Sequence, residues 1–277
     1  LTRILITRKA AFNSPVWFNC GVAGVPQQMS ACYILGVADS MESILSQAVI
    51  EGMIFKGGSG AGSCWSKVRS EKETMTGGGK PSGPRSFISG LDGIAGMIKS
   101  GGKTRRAALF RVLDDNHPDI VEYIWSKVGE EKKAGALIAA GYSGGFEGEA
   151  YSTVSLQNAN QSVHVSDEVM SAVCRKVPYL LPLTARTTGK TLDTISAESL
   201  MDQIADAAWQ CGDPGLHFDA IDRFNKVPSM GKIVASNPCR SVSSTVWTRT
   251  GIKTLLDAEI GEEIWTGKRW AKITEKG

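Results

Sequence analysis

Ser236-Asn237-Pro238-Cys239 marks the point at which the sequence changes character, and this change decides the fold that we predict. Before it, short apolar runs alternate with glycine-rich loops and with stretches of helical periodicity. That alternation is typical of an α/β fold, whose ligands bind at loops beyond the carboxyl ends of the strands. After it, residues 244–254 and 261–270 show the alternation and the turn residues of short β-strands. We therefore predict a large α/β domain followed by a short all-β segment.

Local patterns predict individual elements of the α/β domain. Asp39-Ser40, followed by apolar residues at helical spacing, predicts a helix that runs to about residue 55. Residues 197–211 have an amphipathic helical pattern that ends at glycine. The apolar runs at residues 15–18 and 31–37 predict strands, and residues 175–195 predict a strand pair or an irregular insertion.

The composition is that of an ordinary globular protein. The 277 residues are 42% hydrophobic, so the chain can bury a sizeable core. A formal net charge of +3 is too small to indicate nucleic acid or an anionic membrane surface, because those partners select clustered Lys and Arg. No stretch approaches the roughly 20 apolar residues that cross a bilayer, and the first residues lack the cleavage pattern of a signal peptide. We expect a cytoplasmic protein with neither partner.

The six cysteines are far apart and form no C-x-x-C pair, which argues against a disulfide framework and a structural zinc site. No metal site is predicted. Cys239 is the strongest candidate for thiol chemistry, because Asn-Pro before it disfavours helix and leaves the thiol at a strand end or loop. Cys32 lies on an apolar strand, where a small buried hydrophobic side chain is the simpler interpretation. The three histidines, at 117, 164 and 217, are interpreted as polar loop or strand residues.

Three glycine-rich loops follow one another, at residues 57–62, 77–79 and 100–106. The third fits a phosphate-binding motif only in part, because G-x-x-x-x-G-K-[ST] requires glycine where Met97 stands. It still offers backbone N–H groups and three cations within four residues, which suits some other anion. The first loop needs no explanation beyond a tight turn.

Ten short segments, which occur in one family's order over residues 10–239, carry a resemblance. They are Asn13-Ser-Pro-Val-Trp-Phe-Asn, Ser30-Ala-Cys, Asp39-Ser-Met-Glu-Ser-Ile, Glu51-Gly-Met-Ile-Phe-Lys-Gly-Gly-Ser-Gly-Ala-Gly-Ser, Ser82-Gly-Pro, Ile98-Lys-Ser-Gly-Gly-Lys-Thr-Arg-Arg-Ala-Ala, His117-Pro-Asp-Ile, Gln157-Asn-Ala-Asn, Cys211-Gly-Asp-Pro-Gly and Ala235-Ser-Asn-Pro-Cys. With them the chain resembles the catalytic subunit of adenosylcobalamin-dependent (class II) ribonucleotide reductase. The resemblance implies part of a ten-stranded α/β barrel, which removes the ribose 2′-hydroxyl of a nucleotide, as the diphosphate, by radical chemistry and so makes deoxyribonucleotides for DNA synthesis.

The resemblance also implies roles for single residues. Cys239 matches the cysteine that becomes a thiyl radical and takes the 3′ hydrogen, and Asn237 matches the amide that orients the substrate's hydroxyls. Cys32 matches one of the two thiols that become a disulfide as they reduce the substrate. Adenosylcobalamin, the implied cofactor, supplies the radical when its cobalt–carbon bond breaks. Substrate contacts are implied at Ser14, Ala31, Cys32, Gly60 and Asn237.

An allosteric site for a deoxynucleotide effector is implied at Asp39, at Arg69 and in the third glycine-rich loop. The residues of that loop are Ser100, Gly101, Gly102, Lys103, Thr104, Arg105 and Arg106. In the family the effector binds across a dimer, so a homodimer is expected of the complete protein.

The resemblance ends at Cys239. The family continues Ser-Glu, with the glutamate as acid and base, whereas Arg240 and Ser241 follow here. The second reducing cysteine, the C-terminal half of the barrel and the tail cysteines do not occur in the 277 residues. As it stands, the chain is therefore not expected to reduce nucleotides.

Residues 239–277 resemble the N-terminal part of an intein, with a leading cysteine, the strand-like Thr245-Val-Trp-Thr, a turn at Gly251 and Gly261-Glu-Glu-Ile-Trp-Thr-Gly-Lys-Arg-Trp. This implies two domains, 1–238 and 239–277. It also gives Cys239 a second role, as the thiol that attacks the Pro238 carbonyl to form a thioester. The Thr-x-x-His motif and the terminal Asn of inteins do not occur after residue 239. A C-terminal split-intein and reductase fragment is therefore the expected partner.

Two alternatives to a reductase fragment remain open. One is a split-intein precursor whose proximate activity is protein splicing started by Cys239. The other is a catalytically incomplete nucleotide-binding fragment whose tail has merely diverged. Ligation to a C-terminal partner, observed by mass spectrometry, separates the two.

Overall fold

The computed structural model describes residues 2–25, 27–75, 77–98, 108–145, 148–236, 245–254, 257–265 and 270–273. Five parallel strands form its central sheet, in the spatial order β1-β2-β3-β4-β7. They are β1 (Cys32–Gly36), β2 (Gly60–Cys64), β3 (Leu109–Asp114), β4 (Ala159–Val165) and β7 (Gly215–Phe218). The parallel α/β sheet that the alternating pattern predicted is confirmed. Because β1 and β7 are the two edges of the described sheet, it is open and not a closed barrel.

Helices connect these strands, and their bounds follow local signals. They are α1 (Thr2–Ile6), α2 (Ser14–Asn19), α3 (Met41–Lys56), α4 (Gly83–Met97), α5 (Ile120–Ala139), α6 (Glu149–Ser152), α7 (Asp167–Arg175) and α8 (Ala197–Cys211), with the short 3-10 helices η1 (Asp219–Phe224) and η2 (Pro228–Met230). The hydroxyls of Ser40, Ser166 and Ser196 cap α3, α7 and α8 by accepting backbone N–H groups. Among the described residues, no helix combines the length and the apolarity needed to span a membrane.

One predicted strand is a helix in the structure. Residues 15–18 lie in α2, which has Pro15 in its first turn. Proline there fixes φ at a helical value and gives up only an N–H that has no partner within the helix, so it favours a helix start over a strand. The predictions for α3, for α8 and for a strand pair in residues 175–195 are confirmed.

The core lies between the helices and one face of the sheet. It is built from apolar side chains that are almost fully buried, including Trp65, Leu113, Ile124, Val163 and Leu200. Each such side chain contributes about 1.5–3 kcal/mol when it leaves water. The opposite face, here called the inner face, carries the alternate residues, among them Cys32, Gly60, Gly62, Cys64, Phe110, Val112, Asp114, Ser162, His164 and His217.

Two smaller sheets lie outside the parallel sheet. β5 (Leu180–Thr184) and β6 (Thr191–Ser196) form an antiparallel hairpin. After the residue-239 junction, β8 (Thr245–Thr248), β9 (Gly251–Thr254), β10 (Glu263–Trp265) and β11 (Trp270–Lys272) form an antiparallel sheet in the order β11-β10-β8-β9. The short strands that were predicted for the tail are therefore present.

Candidate functional site

The amino-terminal ends of β1 and β2 form the first part of the candidate site. Cys32 begins β1, is exposed and pairs in register with Gly60 on β2. The backbone N–H of Gly60 donates to the carbonyl of buried Ala31 at 3.0 Å, and the hydroxyl of Ser59 donates to the carbonyl of Ser30 at 2.6 Å. These two hydrogen bonds hold the amino-terminal ends of β1 and β2 together. The interpretation of Cys32 as a buried hydrophobic side chain is wrong, because it lies on the open inner face.

Helix α2 is tied to the same place. Ser14 is its first residue, and Asn19 is buried near its end. The side-chain amide of Asn19 donates to the carbonyl of Pro15 at 2.6 Å and to that of Gly57 at 2.9 Å. Gly57 opens the loop that leads into Gly60, so α2 is joined to the strand starts. Four predicted substrate contacts, at Ser14, Ala31, Cys32 and Gly60, therefore belong to connected segments.

The segment that ends at Ser236 returns to the inner face. Ala235 is fully buried against Phe110 and Val112. A Cβ built on Gly62 would meet the Ser236 carbonyl oxygen at under 3.0 Å, a separation that real Cβ atoms essentially never show. Glycine at position 62 is thus what allows this backbone to lie directly on β2. Asn237 and Cys239 follow, but both lie outside the described residues, so their predicted roles stay predictions.

The residues predicted for the effector lie past the other end of β1. The Nε of Arg69 lies 2.7 Å from Oδ2 of Asp39, and the Arg69 backbone N–H donates to Oδ1 at 3.1 Å. They line a cavity of about 470 Å³ together with Lys80 and Phe87. The loop of residues 100–106 lies outside the described residues. Asp39 and Arg69 follow the carboxyl ends of β1 and β2, whereas Cys32 and Gly60 lie at the amino ends of the same strands.

A buried ion pair behind the inner face was missed by the sequence analysis. Both guanidinium Nη groups of Arg111 contact the carboxylate of Glu51, one of them at 2.9 Å, and Nη1 also donates to Ser63 Oγ at 2.6 Å. Tyr123 donates its hydroxyl to the Arg111 carbonyl at 2.8 Å, and burial raises its pKa well above 10. The pair fixes α3 to β2 and β3. The signal was a charged residue within the apolar run Leu109-Phe-Arg-Val-Leu.

A second carboxylate fastens loops beyond the carboxyl end of β2. Glu73 accepts the backbone N–H groups of Ser70, Arg186 and Thr187 at 2.9–3.0 Å, together with the Thr187 hydroxyl. Burial raises the pKa of Glu73, but these four hydrogen bonds outweigh it and bring the pKa down to about 2. The β5–β6 turn is thereby held against the loop that follows β2.

The three histidines differ in their surroundings. His117 is buried with Nε2 2.9 Å from the Val68 carbonyl, and burial lowers its pKa to about 4. His164 lies between two carboxylates, those of Asp114 and Asp219. His217 is 3% exposed, and neither ring nitrogen has a hydrogen-bond partner among the described residues. In the part of the chain that the structure describes, no group of three or more His, Cys, Asp or Glu side chains could hold a metal ion.

The fold and these sites define an α/β protein with a thiol at the start of its first parallel strand and an acid–arginine cavity past that strand's other end. Residues 30–249 match the family described as ribonucleotide reductase, barrel domain. The chain therefore belongs to the ribonucleotide reductase barrel-domain family.

Relatives with curated names agree with this family. A vitamin B12-dependent ribonucleotide reductase of Streptomyces avermitilis is 45% identical over 282 residues, covering 99% of the chain and 29% of that relative. A vitamin B12-dependent ribonucleoside-diphosphate reductase of Thermoplasma acidophilum is 34% identical, covering 93% of the chain and 32% of that relative. The chain thus spans less than a third of the length of either relative.

A solved structure shares the fold. The alpha subunit of the Actinobacillus ureae class Id ribonucleotide reductase superposes with a TM-score of 0.56 at 18% identity. The match covers 84% of the present chain and 35% of that subunit. At this identity the likeness shows the fold alone.

Proposed function

We propose that the chain is the N-terminal part, residues 1–238, of an adenosylcobalamin-dependent ribonucleoside-diphosphate reductase that makes deoxyribonucleotides. The names of the curated relatives supply the substrate class and the cofactor. The observation that carries the proposal on this chain is the shared inner face. The exposed thiol of Cys32 and the segment that leads to Cys239 both lie there.

Chain geometry supports a meeting of these two thiols. Neighbouring strands lie about 4.8 Å apart and residues along a strand rise about 3.3 Å each, so the Cα atoms of Cys32 and Gly62 are about 8 Å apart. Ser236 rests on Gly62. Cys239 is three residues further on, a span of at most about 11 Å. The two sulfur atoms can therefore face one substrate.

The proposed reaction divides its work between the two thiols. The Cys239 thiyl radical takes the hydrogen atom from C3′ of the ribose and returns it at the end. Cys32 and a second thiol that is not among the 277 residues give two electrons and two hydrogens, so that the 2′-hydroxyl leaves as water and a disulfide forms. Asn237 orients the hydroxyls, and Ser14, Ala31 and Gly60 approach the substrate closely. Small side chains and backbone groups suit such an approach.

The start of the inner face also suits a bulky cofactor beside the substrate. Gly60 and Ala31 carry no side chain beyond Cβ, and Cys32 next to them is exposed. When bound, adenosylcobalamin supplies the radical through cleavage of its cobalt–carbon bond. The residues of this chain position the reacting thiols and exclude water.

We propose that Asp39, Arg69 and residues 100–106 bind a deoxynucleotide effector. The cavity beside Asp39 and Arg69 is lined by Lys80 as a further cation and by Phe87 as an aromatic ring. Arginine and lysine suit phosphate oxygens, and an aromatic ring suits a base. The proposed cationic loop of residues 100–106 completes the anion site.

We propose that this site forms at the contact between two copies of the chain. Met41, Leu45, Val49 and Met53 are spaced by four residues along α3 and are 54–70% exposed. An apolar row of this kind on a helix is typical of a surface that a partner covers. Met41 also lines the Asp39–Arg69 cavity, so a second copy packed on α3 would close that cavity.

A second candidate function concerns the tail. We propose that residues 239–277 are the N-terminal part of an intein, and that Cys239 starts protein splicing with a C-terminal partner. The separate antiparallel sheet of the tail, which follows an all-parallel sheet, favours this boundary. The family match, which runs to residue 249, and the alignment of 99% of the chain with the Streptomyces avermitilis reductase favour a tail that belongs to the barrel. Mixing the chain with a candidate C-terminal fragment decides, because splicing gives a ligated product whereas a barrel tail gives none.

Reductase function can be tested in a chimera. Residues 1–238 are fused to the sequence that follows the corresponding Asn-Pro in the Streptomyces avermitilis relative, and deoxynucleotide formation is measured with adenosylcobalamin and a dithiol. We expect product from the chimera and none from its Cys32→Ser variant. Cys174→Ser, on the exposed part of α7, is the matched control and should keep full activity. A Cys32→Ser chimera as active as the control would refute the role of this thiol.

A further inference from the structure

The carboxyl ends of β3, β4 and β7 carry a cluster of titratable side chains that the proposed reaction does not use. Nδ1 of His164 lies 2.9 Å from Oδ1 of Asp114, the last residue of β3. Nε2 of the same ring lies 2.9 Å from Oδ1 of Asp219, the first residue of η1. A single imidazole therefore joins the sheet to the start of the segment of residues 219–236.

The partners of this ring fix its proton count. An ionised carboxylate only accepts hydrogen bonds, and a neutral imidazole has a single N–H. Nδ1 is hydrogen-bonded to Asp114, and Nε2 lies 2.9 Å from the Asp219 carboxylate as an ion-pair contact, which is attractive only while the ring carries two protons and a positive charge. The hydrogen bond to Asp114 raises the pKa of His164 above 6.5, and it outweighs burial, which acts in the opposite direction.

Residues 219–236 behave as one connected segment. The Asp222 carboxylate in η1 accepts the backbone N–H of Ile233 at 2.9 Å. Two residues later, Ala235 is fully buried on the inner face. A contact that holds Asp219 therefore also holds the stretch that crosses β2 and β3.

We propose that His164 forms a pH-dependent ion-pair bridge. While its ring carries two protons, the bridge holds residues 219–236 on the inner face, and when one proton is lost it releases Asp219. Asp219 is the partner that leaves, because 48% of its side chain is exposed against 32% for Asp114, so water replaces the ring more readily there. His164 is a positioning residue in this role. The inference concerns the docking of the segment and does not depend on reductase activity.

Other charged groups face this bridge from every element packed against it. Burial lowers the pKa of His217 and the nearby charge of His164 lowers it further, so His217 is harder to protonate than His164. The Asp115 carboxylate is held by the backbone N–H and the hydroxyl of Ser166, each at 2.7 Å. The remaining groups are Cys64 and Arg186, which face Asp114, and Asp167, Asp222, Arg223 and Lys232, which line an adjoining cavity of about 420 Å³. Among these described groups, His164 is the one whose pKa rises from a value near neutrality.

The test combines ring titration with hydrogen exchange on the 277-residue chain. The chain has three histidines, so NMR assigns the His164 ring by the signal that is lost in His164→Arg. Exchange of residues 219–236 is followed by mass spectrometry from pH 6 to pH 9, corrected for the intrinsic effect of pH on exchange. Asp219→Asn gives the His164 pKa without the charge of its partner.

We expect the protection of residues 219–236 to fall as pH rises through the titration of His164. The pKa of His164 should be higher in the parent chain than in Asp219→Asn. For each unit of this difference, the protection of residues 219–236 should fall about tenfold. His164→Arg should keep its protection over the whole range, because a guanidinium stays charged and has donors for both carboxylates.

Arg223→Gln is the matched control. It removes the surface ion pair between η1 and Asp167, which involves no imidazole, so any loss of protection should be the same at every pH. A His164 pKa at or below 6.5, or protection that is independent of pH in the parent chain, would overturn the proposal. So would a folded His164→Arg chain that loses protection at high pH as the parent does. If His164→Arg does not fold, the pH dependence of protection in the parent chain decides by itself.

Discussion

Replacing Gly62 by alanine should displace the segment that crosses the inner face. The new Cβ would meet the Ser236 carbonyl oxygen at under 3.0 Å and its carbonyl carbon at 3.1 Å. Ordinary contact begins at 3.4 Å, so this backbone must move away by about 1 Å or more. Either the crowding persists, which costs about 1–3 kcal/mol, or the segment leaves and exposes Ala235, whose methyl group contributes about 0.8 kcal/mol.

Gly36→Ala is the matched control for this change. Gly36 also lies in a parallel strand on the inner face, and a Cβ there meets nothing within 4 Å. Alanine at position 36 should therefore leave stability unchanged, or raise it by about 0.4–1 kcal/mol through the unfolded chain.

Urea unfolding and hydrogen exchange measure the two effects. We expect Gly62→Ala to lower the free energy of unfolding by about 1–3 kcal/mol and to reduce the protection of residues 233–236. If Gly62→Ala and Gly36→Ala behave alike in both measurements, the close approach of Ser236 to β2 is refuted.

Three further predictions concern the buried charges and the α3 surface. Glu73 has a pKa lowered to about 2, so the stability that its ionised form contributes is complete above about pH 4.5 and is lost as the pH falls towards 2. Glu73→Gln should therefore lower the free energy of unfolding by up to about 3 kcal/mol at pH 7 and flatten the acid limb of the curve of stability against pH. An unchanged acid limb in urea titrations would contradict this. Arg111→Met leaves the Glu51 carboxylate buried without its cation and should lower the free energy of unfolding by about 3–5 kcal/mol. A second change, Glu51→Leu, should recover much of this loss, and no recovery in the double variant would argue against the pairing. Leu45→Glu, at a side chain that is 60% exposed, should leave monomer stability within about 0.5 kcal/mol and abolish the proposed dimer, and a dimer that persists in light scattering would exclude α3 from the contact.

Elements with local signals could be predicted from the sequence. Helix α3 follows a serine cap, and α8 pairs a serine cap with an apolar stripe and a terminal glycine, so each signal lies within the helix or next to it. Helix α2 was mistaken for a strand because six residues are too few for periodicity, and only the position of Pro15 favoured a helix. The ten-stranded barrel that the resemblance implied is not closed, because the described sheet contributes five strands.

The site residues also divide into those that have a local sequence signal and those that have none. Cys32, Gly60 and Asp39 could be selected because short family motifs contain them, and Arg69 because the resemblance implied it at the effector site. The structure pairs Cys32 with Gly60 and Asp39 with Arg69. The Arg111–Glu51 pair joins residues 60 positions apart, and the His164–Asp219 contact joins β4 to η1, which follows the neighbouring strand β7. A charged residue in a strand, such as Arg111, signals that a buried partner is needed, but it gives no indication of which distant residue that partner is.

Disulfide trapping measures most directly whether the two thiols meet on the inner face. The 277-residue chain is oxidised mildly under native conditions, and the cysteine pairs are mapped by mass spectrometry, with the exposed Cys20 and Cys174 as internal controls. We predict that Cys32 pairs with Cys239 ahead of either control. Oxidation that joins Cys32 to a control cysteine, with Cys239 left unpaired, would contradict a shared face for the two thiols and with it the proposed reductase site.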